Sequence, residues 1–351
     1  MIALASVMVL AGWVTSHPGL EKGKQIYAQS CAQCHGQDGR GNPEWESEVR
    51  PIELTDCGTT AEPTELWESI VRRGGPPHGL SSVMPAFEEA FAKEEISAVV
   101  AYLRTFCPTA DAYPAGDLNF RRLLKTGKAF PEAEWVLRLS DGGRDGTREG
   151  ELEVAYENRI GPRFQYEIEA PLRYAAPDGE GRGVGDLKLS GKQVLYFDVA
   201  RTEILSASLG LTLPIGSESK GLGSGAWALS PSLRYGKGWG RTMLQAAVGA
   251  ELPTDSSKAP RLATYALGLS RALGPARTAW TPGVEWVGEV ETKTREHQYG
   301  VWLELSKPLN RLGHVIAAAG VQIPIRPRAD PNRLELYLLW DFGDGPFWIG
   351  W

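Results

Sequence analysis

The chain has 351 residues, which is enough for two domains with separate cores. Its formal net charge is −6, so the composition gives no indication of nucleic-acid binding. No stretch approaches about 18 uninterrupted apolar residues, so the sequence predicts no transmembrane helix.

Residues 1–16 resemble a signal segment. The run from Ile2 to Val14 is apolar apart from Ser6, which is typical of a signal-peptide core and too short to cross a bilayer comfortably. Small residues follow it and would permit cleavage. No Lys or Arg precedes Lys22, so either the start is truncated or the segment is an anchor without lipid.

The sequence Cys31-Ala32-Gln33-Cys34-His35 has the C-x-x-C-H spacing of a c-type haem attachment site. Two thiols three positions apart can each form a thioether, and the following His is an axial ligand of the iron. A zinc knuckle would need a second ligand pair, and a thioredoxin-like redox motif would not need His35. We therefore expect one covalent haem c. Its attachment outside the bacterial cytoplasm favours export.

Residues 17–110 form the first predicted domain, and its periodicity is helical. We expect helices over about 19–32, 65–73 and 93–106. The last has its apolar residues at helical spacing, as one stripe that would face a core: Ile96, Val99, Val100 and Leu103.

This order of helix, C-x-x-C-H, loop, helix, Met-Pro and final helix resembles class I cytochrome c over residues 19–107. The resemblance implies an all-α fold with His35 as the proximal ligand and Met84, in Val83-Met84-Pro85, as the distal ligand of the iron. The remaining methionines lie in residues 1–16 or far away at Met243, which favours Met84 further. The alternatives are a core-filling thioether at Met84, and His78 as sixth ligand when Met84 is detached. We expect His78 itself on an exposed loop, because it follows Pro76-Pro77 and precedes Gly79.

The other two cysteines, Cys57 and Cys107, flank the second and third predicted helices. In an oxidising compartment they would form a disulfide that closes a long loop around Met84, although two separate buried thiols also fit the sequence. Residues 17–115 carry 8 basic and 15 acidic side chains. This acidity would steer basic redox partners, or serve solubility alone.

Residues 111–131 read as a linker, and residues 132–351 then change from helical to alternating periodicity. Polar and apolar residues alternate along 151–157 and 164–170, a predicted hairpin. Further strands are expected near 184–197, 201–214, 226–236, 240–252, 261–273, 276–290, 297–307, 312–325 and 332–342. With 135–139 this makes about twelve antiparallel strands.

These strands are long enough to cross a membrane at a tilt, and aromatic residues near their ends fit an interfacial girdle: Trp227, Tyr235, Trp239, Trp280, Trp286, Trp302 and Trp340. A soluble β-sandwich or a propeller is the alternative. We predict an all-β transmembrane barrel. The motifs Gly183-Val184-Gly185-Asp186 and Leu213-Pro214-Ile215-Gly216 resemble a family of outer-membrane barrels named for a putative meta-pathway of phenol degradation, which implies a channel or scaffold.

No catalytic constellation stands out in the barrel sequence. His297 and His314 lack metal-ligand spacing and are expected on strand faces, and Asp141 to Gly146 lacks the closing Glu of a calcium loop. We therefore expect an electron carrier and no enzyme: a mono-haem cytochrome tethered at the bacterial outer membrane, with its haem domain periplasmic. Its partners would be outer-membrane lipid and other periplasmic or outer-membrane redox proteins.

Two other functions remain open from the sequence. One is an outer-membrane channel for a small solute, with the cytochrome as redox sensor or plug. The other is peroxidase-like catalysis, which an iron with both axial positions filled by His and Met disfavours.

Overall fold

The computed structural model describes residues 18–47, 49–109, 112–144, 147–176, 181–275, 278–326, 332–343 and 345–351. The signal-like segment 1–16 lies outside these ranges, as do residues 145 and 146 of the loop considered for calcium. Within the described ranges, no helix is both long and apolar enough to cross a membrane.

The first domain is helical, as predicted. It consists of α1 (Pro18–Ser30), α2 (Ala32–His35), α3 (Thr64–Arg73) and α4 (Lys93–Leu103), with short 3-10 turns at Cys57–Ala61, Pro76–His78 and Arg104–Phe106. The predicted apolar stripe of α4 is buried and forms the core with Ile26 and Tyr27 of α1 and Val71 of α3. The amphipathic pattern therefore faces the core it predicts.

The crossing of α1 and α4 depends on a glycine. A Cβ atom at Gly23 would lie 2.1 Å from the backbone oxygen of Ala98, so the two helices touch through their backbones there. One turn further along α1, the ring of Tyr27 packs 5.5 Å from Tyr102 and 4.9 Å from Phe106. This contact fixes the end of α1, from which the C-x-x-C-H sequence continues.

The second domain is a closed antiparallel barrel, as predicted. Its strands are β1 (Glu134–Arg144), β2 (Thr147–Ile160), β3 (Phe164–Ala176), β4 (Gly181–Val184), β5 (Leu187–Asp198), β6 (Glu203–Leu213), β7 (Ala228–Trp239), β8 (Thr242–Pro253), β9 (Leu262–Arg271), β10 (Thr281–Glu291), β11 (His297–Pro308), β12 (Val315–Arg326) and β13 (Arg333–Asp341). β4 and β5 pair with successive parts of β3, and β1 pairs with β13. The described strands thus form a twelve-membered ring.

Along each strand, side chains alternate between lumen and exterior. In β1, Val136 is buried, whereas Trp135, Leu137 and Leu139 are each more than 40% exposed. The same exposed apolar positions recur in β6 to β13, for example at Leu233, Leu267 and Leu303. An apolar exterior of this extent around a closed ring without free edges is the lipid-facing surface of a transmembrane barrel.

One girdle residue is placed wrongly by the sequence interpretation. Trp302 is 2% exposed and faces the lumen, where its ring lies 4.7 Å from the ammonium group of Lys125. Trp302 lies near the end of a strand, which suggested a place in the girdle. Side chains alternate between the two faces of β11, however, and this alternation directs Trp302 into the lumen. Trp227, Trp239, Trp280 and Trp286 are exposed, as a girdle requires.

The two motifs that carry the barrel resemblance meet in space. Asp186 is buried and accepts hydrogen bonds from the backbone N–H of Gly216 at 3.0 Å and of Ser224 at 2.7 Å. The hydroxyl of Ser224 adds a third at 2.9 Å. Asp186 therefore fixes the loop between β6 and β7 to the start of β5.

The predicted linker has an additional role, because part of it occupies the barrel. Residues 116–133, here called the luminal segment, are mostly buried and lie among inward-facing side chains of the strands. We call the barrel end where β1 begins and β13 ends the terminal rim. The luminal segment fills the half of the lumen next to that rim.

The close contact at Gly23 can be tested with a matched glycine in the same helix. Gly23→Leu should destabilise the helical domain by about 2–3 kcal/mol, because the contact is with backbone that cannot move aside. Gly19→Leu should be neutral or stabilise by up to about 1 kcal/mol, since no atom lies within 4 Å of a Cβ there. Guanidinium titration of the haem absorbance of full-length protein would measure both. Equal midpoints would refute the packing argument.

Candidate haem site

The C-x-x-C-H sequence forms a single helical turn after α1. The backbone N–H of Cys31 donates to Tyr27 at 2.9 Å, and the N–H of His35 donates to the carbonyl of Cys31 at 2.9 Å. Residues three and four apart share a helix face, so the turn presents Cys31, Cys34 and His35 together. Both cysteines are free thiols. The structure therefore groups the three predicted haem-attachment residues.

The turn is held rigidly at its end. Gly36 terminates the helix with φ 74°, a backbone conformation that favours glycine, and its carbonyl accepts a 2.6 Å hydrogen bond from the Tyr27 hydroxyl. The N–H of Gly41 donates to the His35 carbonyl at 2.8 Å. The core residue Tyr27 thus orients the segment that carries the predicted proximal ligand.

The imidazole of His35 is half-buried, and its buried Nδ1 atom has no hydrogen-bond partner among the described residues. Burial lowers the pKa of His35, and the nearby backbone of Ile52 offsets part of that shift. Burial also raises the pKa of the Cys31 thiol to about 11, with the Cys34 thiol adding to it. At neutral pH the site thus offers an uncharged imidazole, which is the form that binds a metal.

Met84 lies in a loop that packs against the end of α3. Gly74 ends α3 with φ 76°, and a Cβ there would lie 2.8 Å from the Met84 carbonyl oxygen. The N–H of Gly75 donates to that same carbonyl at 3.0 Å. Phe87 continues the attachment through a backbone bond to Val71. The Gly74-Gly75 pair therefore permits the close approach that fixes the backbone of Met84, whose side chain is half-buried.

His78, the alternative sixth ligand, is engaged elsewhere. Its two ring nitrogens lie 2.9 Å from the hydroxyl of Ser69 and 3.0 Å from the carbonyl of Gly74. The sequence interpretation placed this histidine on an exposed loop, whereas it is half-buried against the C-terminal part of α3. These contacts make His78 a brace of the Met84 loop.

Cys57 and Cys107 form a disulfide across 50 residues of sequence, with Cα atoms 5.0 Å apart. The bridge joins the 3-10 turn before α3 to the segment after α4. It therefore encloses α3, the Met84 loop and α4 in one covalent loop, as the sequence suggests.

Several features of the domain fit a haem group. Ile52, Leu80 and Val83 lie beside the predicted ligands and are 44–60% exposed, so an apolar macrocycle would cover surface that now faces water. The indole N–H groups of Trp45 and Trp67 are buried without partners among the described residues. Such donors suit the propionates of a haem. The sequence analysis missed both, because a lone Trp gives no polar signal.

The two histidines of the barrel are not assembled into a metal site, and no group of metal-ligating side chains occurs among the described residues. His297 begins β11 and lies 2.7 Å from the hydroxyl of Tyr265, on a strand as expected. His314 is buried in the turn before β12, 3.1 Å from the carbonyl of Pro346. It therefore binds the C-terminal tail to the terminal rim, a place that strand alternation did not predict.

Comparison with known proteins matches residues 18–103 to the family described as cytochrome C oxidase, cbb3-type, subunit III. A comparison with curated sequences found no match. Among solved structures, an outer membrane channel from Pseudomonas putida F1 is 16% identical, with TM-score 0.45 over 63% of this chain and 99% of that chain. The KdgM porin is 12% identical, with TM-score 0.43 over 59% and 99%. Outer membrane phospholipase A from Escherichia coli is 10% identical, with TM-score 0.38 over 64% and 95%.

The helical domain is accordingly a haem-binding domain of the c-type cytochrome class, as the sequence predicts. It precedes a closed barrel whose apolar exterior is of the outer-membrane type. The family match covers the helical domain alone. The chain therefore combines a cytochrome domain with a membrane barrel in one polypeptide.

The two cysteine pairs should behave differently when substituted. The double variant Cys57→Ser/Cys107→Ser should retain haem through denaturing electrophoresis but lose about 2–5 kcal/mol of stability, because the unfolded chain gains freedom. Cys31→Ser/Cys34→Ser should lose the haem stain. Haem staining and guanidinium titration would measure these effects. Loss of covalent haem from the first variant would contradict the assignment of the pairs.

Proposed function

We propose that the protein is a mono-haem c-type cytochrome that carries single electrons and is anchored in the bacterial outer membrane by its barrel. The observation that carries this proposal is the presence of two elements in the same helical domain. One is the rigid turn with Cys31, Cys34 and His35, and the other is the braced loop of Met84.

In this proposal Cys31 and Cys34 would bind one haem covalently, and His35 and Met84 would ligate its iron. The haem supplies a one-electron iron couple whose potential a Met ligand raises. The protein chain holds the two proposed ligands in position. Tyr27 and Gly36 orient the His35 backbone, and the Gly74-Gly75 pair holds the Met84 loop. Two occupied axial positions leave no place for a substrate, so we propose an electron carrier without enzymatic turnover.

The cytochrome domain would lie on the periplasmic side. It joins the barrel at the terminal rim, where three of the five connections between strands are short, 161–163, 199–202 and 240–241, and two are longer, 272–280 and 309–314. The opposite rim carries longer connections such as 214–227 and 254–261. Outer-membrane barrels have short turns at the periplasmic rim and long loops outside, which supports this orientation.

Contacts with the barrel would keep the haem domain at the membrane surface. The guanidinium group of Arg163, in the β2–β3 turn, donates to the carbonyl of Ala112 at 2.9 Å. A Cβ atom at Gly79, in the loop before Met84, would lie 3.9 Å from side-chain atoms of Leu312 and Ile349 at the terminal rim. An acidic domain held in this way would receive basic redox partners from the periplasm.

A channel for a small solute is the second candidate function. The observation that favours it is a polar cavity of about 170 Å³ in the lumen half away from the cytochrome. Hydroxyl and charged side chains line it, among them Ser208, Ser232, Lys188 and Arg234. In this alternative the luminal segment, and not the cytochrome domain, would obstruct the channel.

The axial ligand can be identified by a potentiometric titration. Met84→His should lower the midpoint potential by at least about 0.1 V, a fraction of the roughly 0.8 V that axial ligation spans. Met243→Leu, in the barrel, should leave the potential nearly unchanged. His78→Ala, which removes a contact that supports the Met84 loop, should change the potential less than Met84→His. A potential that follows His78 instead of Met84 would overturn the ligand assignment, and a five-coordinate resting iron in wild-type protein would overturn the electron-carrier proposal.

The anchoring can be tested by fractionating expressing cells. We expect covalent haem in the outer-membrane fraction, in a band whose electrophoretic mobility changes on boiling because the barrel unfolds only then. Exchange with a basic redox protein should slow as salt rises, since screening removes the attraction. A haem band in the soluble periplasm that is insensitive to boiling would refute the membrane anchor.

A further inference from the structure

The luminal segment, residues 116–133, contacts the barrel wall around its whole circumference. Hydrogen bonds or close packing link it to strands on opposite sides of the lumen. Lys192 of β5 donates to the carbonyl of Phe130 at 2.6 Å, Gln245 of β8 donates to the carbonyl of Arg121 at 2.8 Å, and Tyr337 of β13 donates to the carbonyl of Arg122 at 2.8 Å. A segment held from several directions lies across the lumen.

Its cations pair with glutamates of the wall. Arg122 is buried and binds Glu134 of β1 at 3.0 Å and Glu157 of β2. The ammonium group of Lys125 binds Glu335 of β13. Lys128, also buried, lies 3.3 Å from Glu134. The buried charges of Arg122 and Lys128 require such partners, whereas Lys125 is exposed and its pair adds less. Together these pairs fix the position of the segment.

Carboxylates of the barrel wall also accept hydrogen bonds from the backbone of the luminal segment. The N–H groups of Lys125 and Thr126 donate to the carboxylate of Glu285, at 3.0 and 2.5 Å. The N–H of Leu124 donates to Glu304 at 2.8 Å. Three consecutive backbone donors, which no regular secondary structure satisfies, therefore bind two wall carboxylates.

Apolar side chains of the segment occupy places where the wall has glycine. A Cβ at Gly268 would lie 2.2 Å from Leu123, and a Cβ at Gly320 would lie 2.3 Å from Leu124. Phe120 is placed in the same way against Gly236, 2.6 Å from its Cβ position. A larger residue at any of these three glycines would force the side chain of the segment to shift. The wall is thus shaped to receive it.

The wall itself is strongly acidic. Among the described strand residues, six glutamates are buried: Glu134, Glu153, Glu157, Glu167, Glu285 and Glu335. Three bases of the wall face them in this half of the lumen: the buried Lys192, Arg138, which pairs with Glu153 and Glu335, and Arg234, which lies beside Gly127. The luminal segment carries four basic residues and two acidic ones. Without the segment, the half of the lumen next to the terminal rim would be a water-filled passage lined by carboxylates, the arrangement that selects cations.

We propose that residues 116–133 are a resident plug, and that the lumen they close is a cation-selective pathway. In the docked state the bases of the segment occupy the positions that permeating cations would take. The cavity beyond the plug, toward the opposite rim, is lined by Glu169 and Glu251 as well as by Lys188 and Arg234, so its charges balance. Selectivity would therefore arise in the acidic half.

The test is the conductance of full-length holoprotein in planar bilayers under a KCl gradient. Wild-type protein should be closed. A variant with residues 118–131 replaced by Gly and Ser at equal length should conduct on the order of tenfold more, with a reversal potential close to that of K⁺. Arg122→Gln/Lys125→Gln/Lys128→Gln should open in the same direction. Mobility change on boiling would show that each barrel is folded.

A matched control removes the same charge elsewhere. Lys24→Gln/Arg50→Gln/Lys93→Gln changes three exposed residues of the cytochrome domain and should remain closed. A wild-type protein that conducts as well as the Gly-Ser variant would overturn the plug. An open variant that prefers Cl⁻ would overturn the cation pathway.

Selectivity can be assigned to the wall in the Gly-Ser background. Adding Glu285→Gln/Glu335→Gln should move the reversal potential toward zero. Glu218→Gln/Glu296→Gln, at exposed positions of the opposite rim, should leave it near the K⁺ value. An unchanged reversal potential in the first pair would refute the role of the buried carboxylates.

A labelling experiment does not require an opened barrel. Thr126 is completely buried, so Thr126→Cys in outer-membrane vesicles should resist a small hydrophilic maleimide. Ser82→Cys, exposed near Met84, should react when the vesicles are permeabilised. Equal labelling would show an undocked segment. The haem potential should be the same in all plug variants, so failure of the plug is distinguishable from failure of the electron-carrier proposal.

Discussion

Charge that folding removes from water must be neutralised where it lies, and in this protein that constraint joins the two domains. Glu134 and Glu157 face the lumen from neighbouring strands, and Arg122, which precedes the barrel in sequence, neutralises them. Removing Arg122 would leave two buried carboxylates together. The barrel wall and the luminal segment therefore stabilise each other.

The same segment positions the cytochrome domain. Asp117, near its start, accepts hydrogen bonds from the backbone N–H and hydroxyl of Thr64, the first residue of α3, and lies 3.7 Å from Arg104 after α4. A carboxylate at a helix N-terminus satisfies free backbone donors and interacts favourably with the helix dipole. Because α3 also supports the Met84 loop, the predicted distal ligand is tied through Asp117 to the docked segment in the lumen.

The features that could be predicted from the sequence are those that depend on residues close together in the chain. The C-x-x-C-H turn, the apolar stripe of α4 and the strand alternation need only spacing of three, four or two residues. Lys125 and Arg122, in contrast, find partners as far as 210 and 215 residues away. Their segment has no periodicity and reads as a polar linker. Trp302 was misplaced for a related reason, since the strand position of an aromatic says little about its face.

Within the candidate haem site, too, some residues could be predicted from their spacing, whereas others become apparent only in the folded chain. The grouping of Cys31, Cys34 and His35 on one turn was predictable because the chemistry of haem attachment requires that spacing. Trp45 and Trp67 were not, since their significance is an N–H group without a partner, which exists only in the folded chain. The brace of His78 on Ser69 also depends on the 3-10 turn that follows Gly75.

The arrangement limits the path that an electron can take. A hydrocarbon core is about 30 Å thick, and the haem domain is docked at one rim of the barrel. The luminal segment extends from that rim and contains Phe120 and Phe130 but no Tyr, Trp, Cys or Met. In the proposed function, electron transfer through a single haem would therefore begin and end on the cytochrome side, unless a partner reaches the opposite rim. The proposed role of the barrel is then that of a membrane anchor for an acidic redox domain, and the proposed plug would keep that anchor from leaking ions.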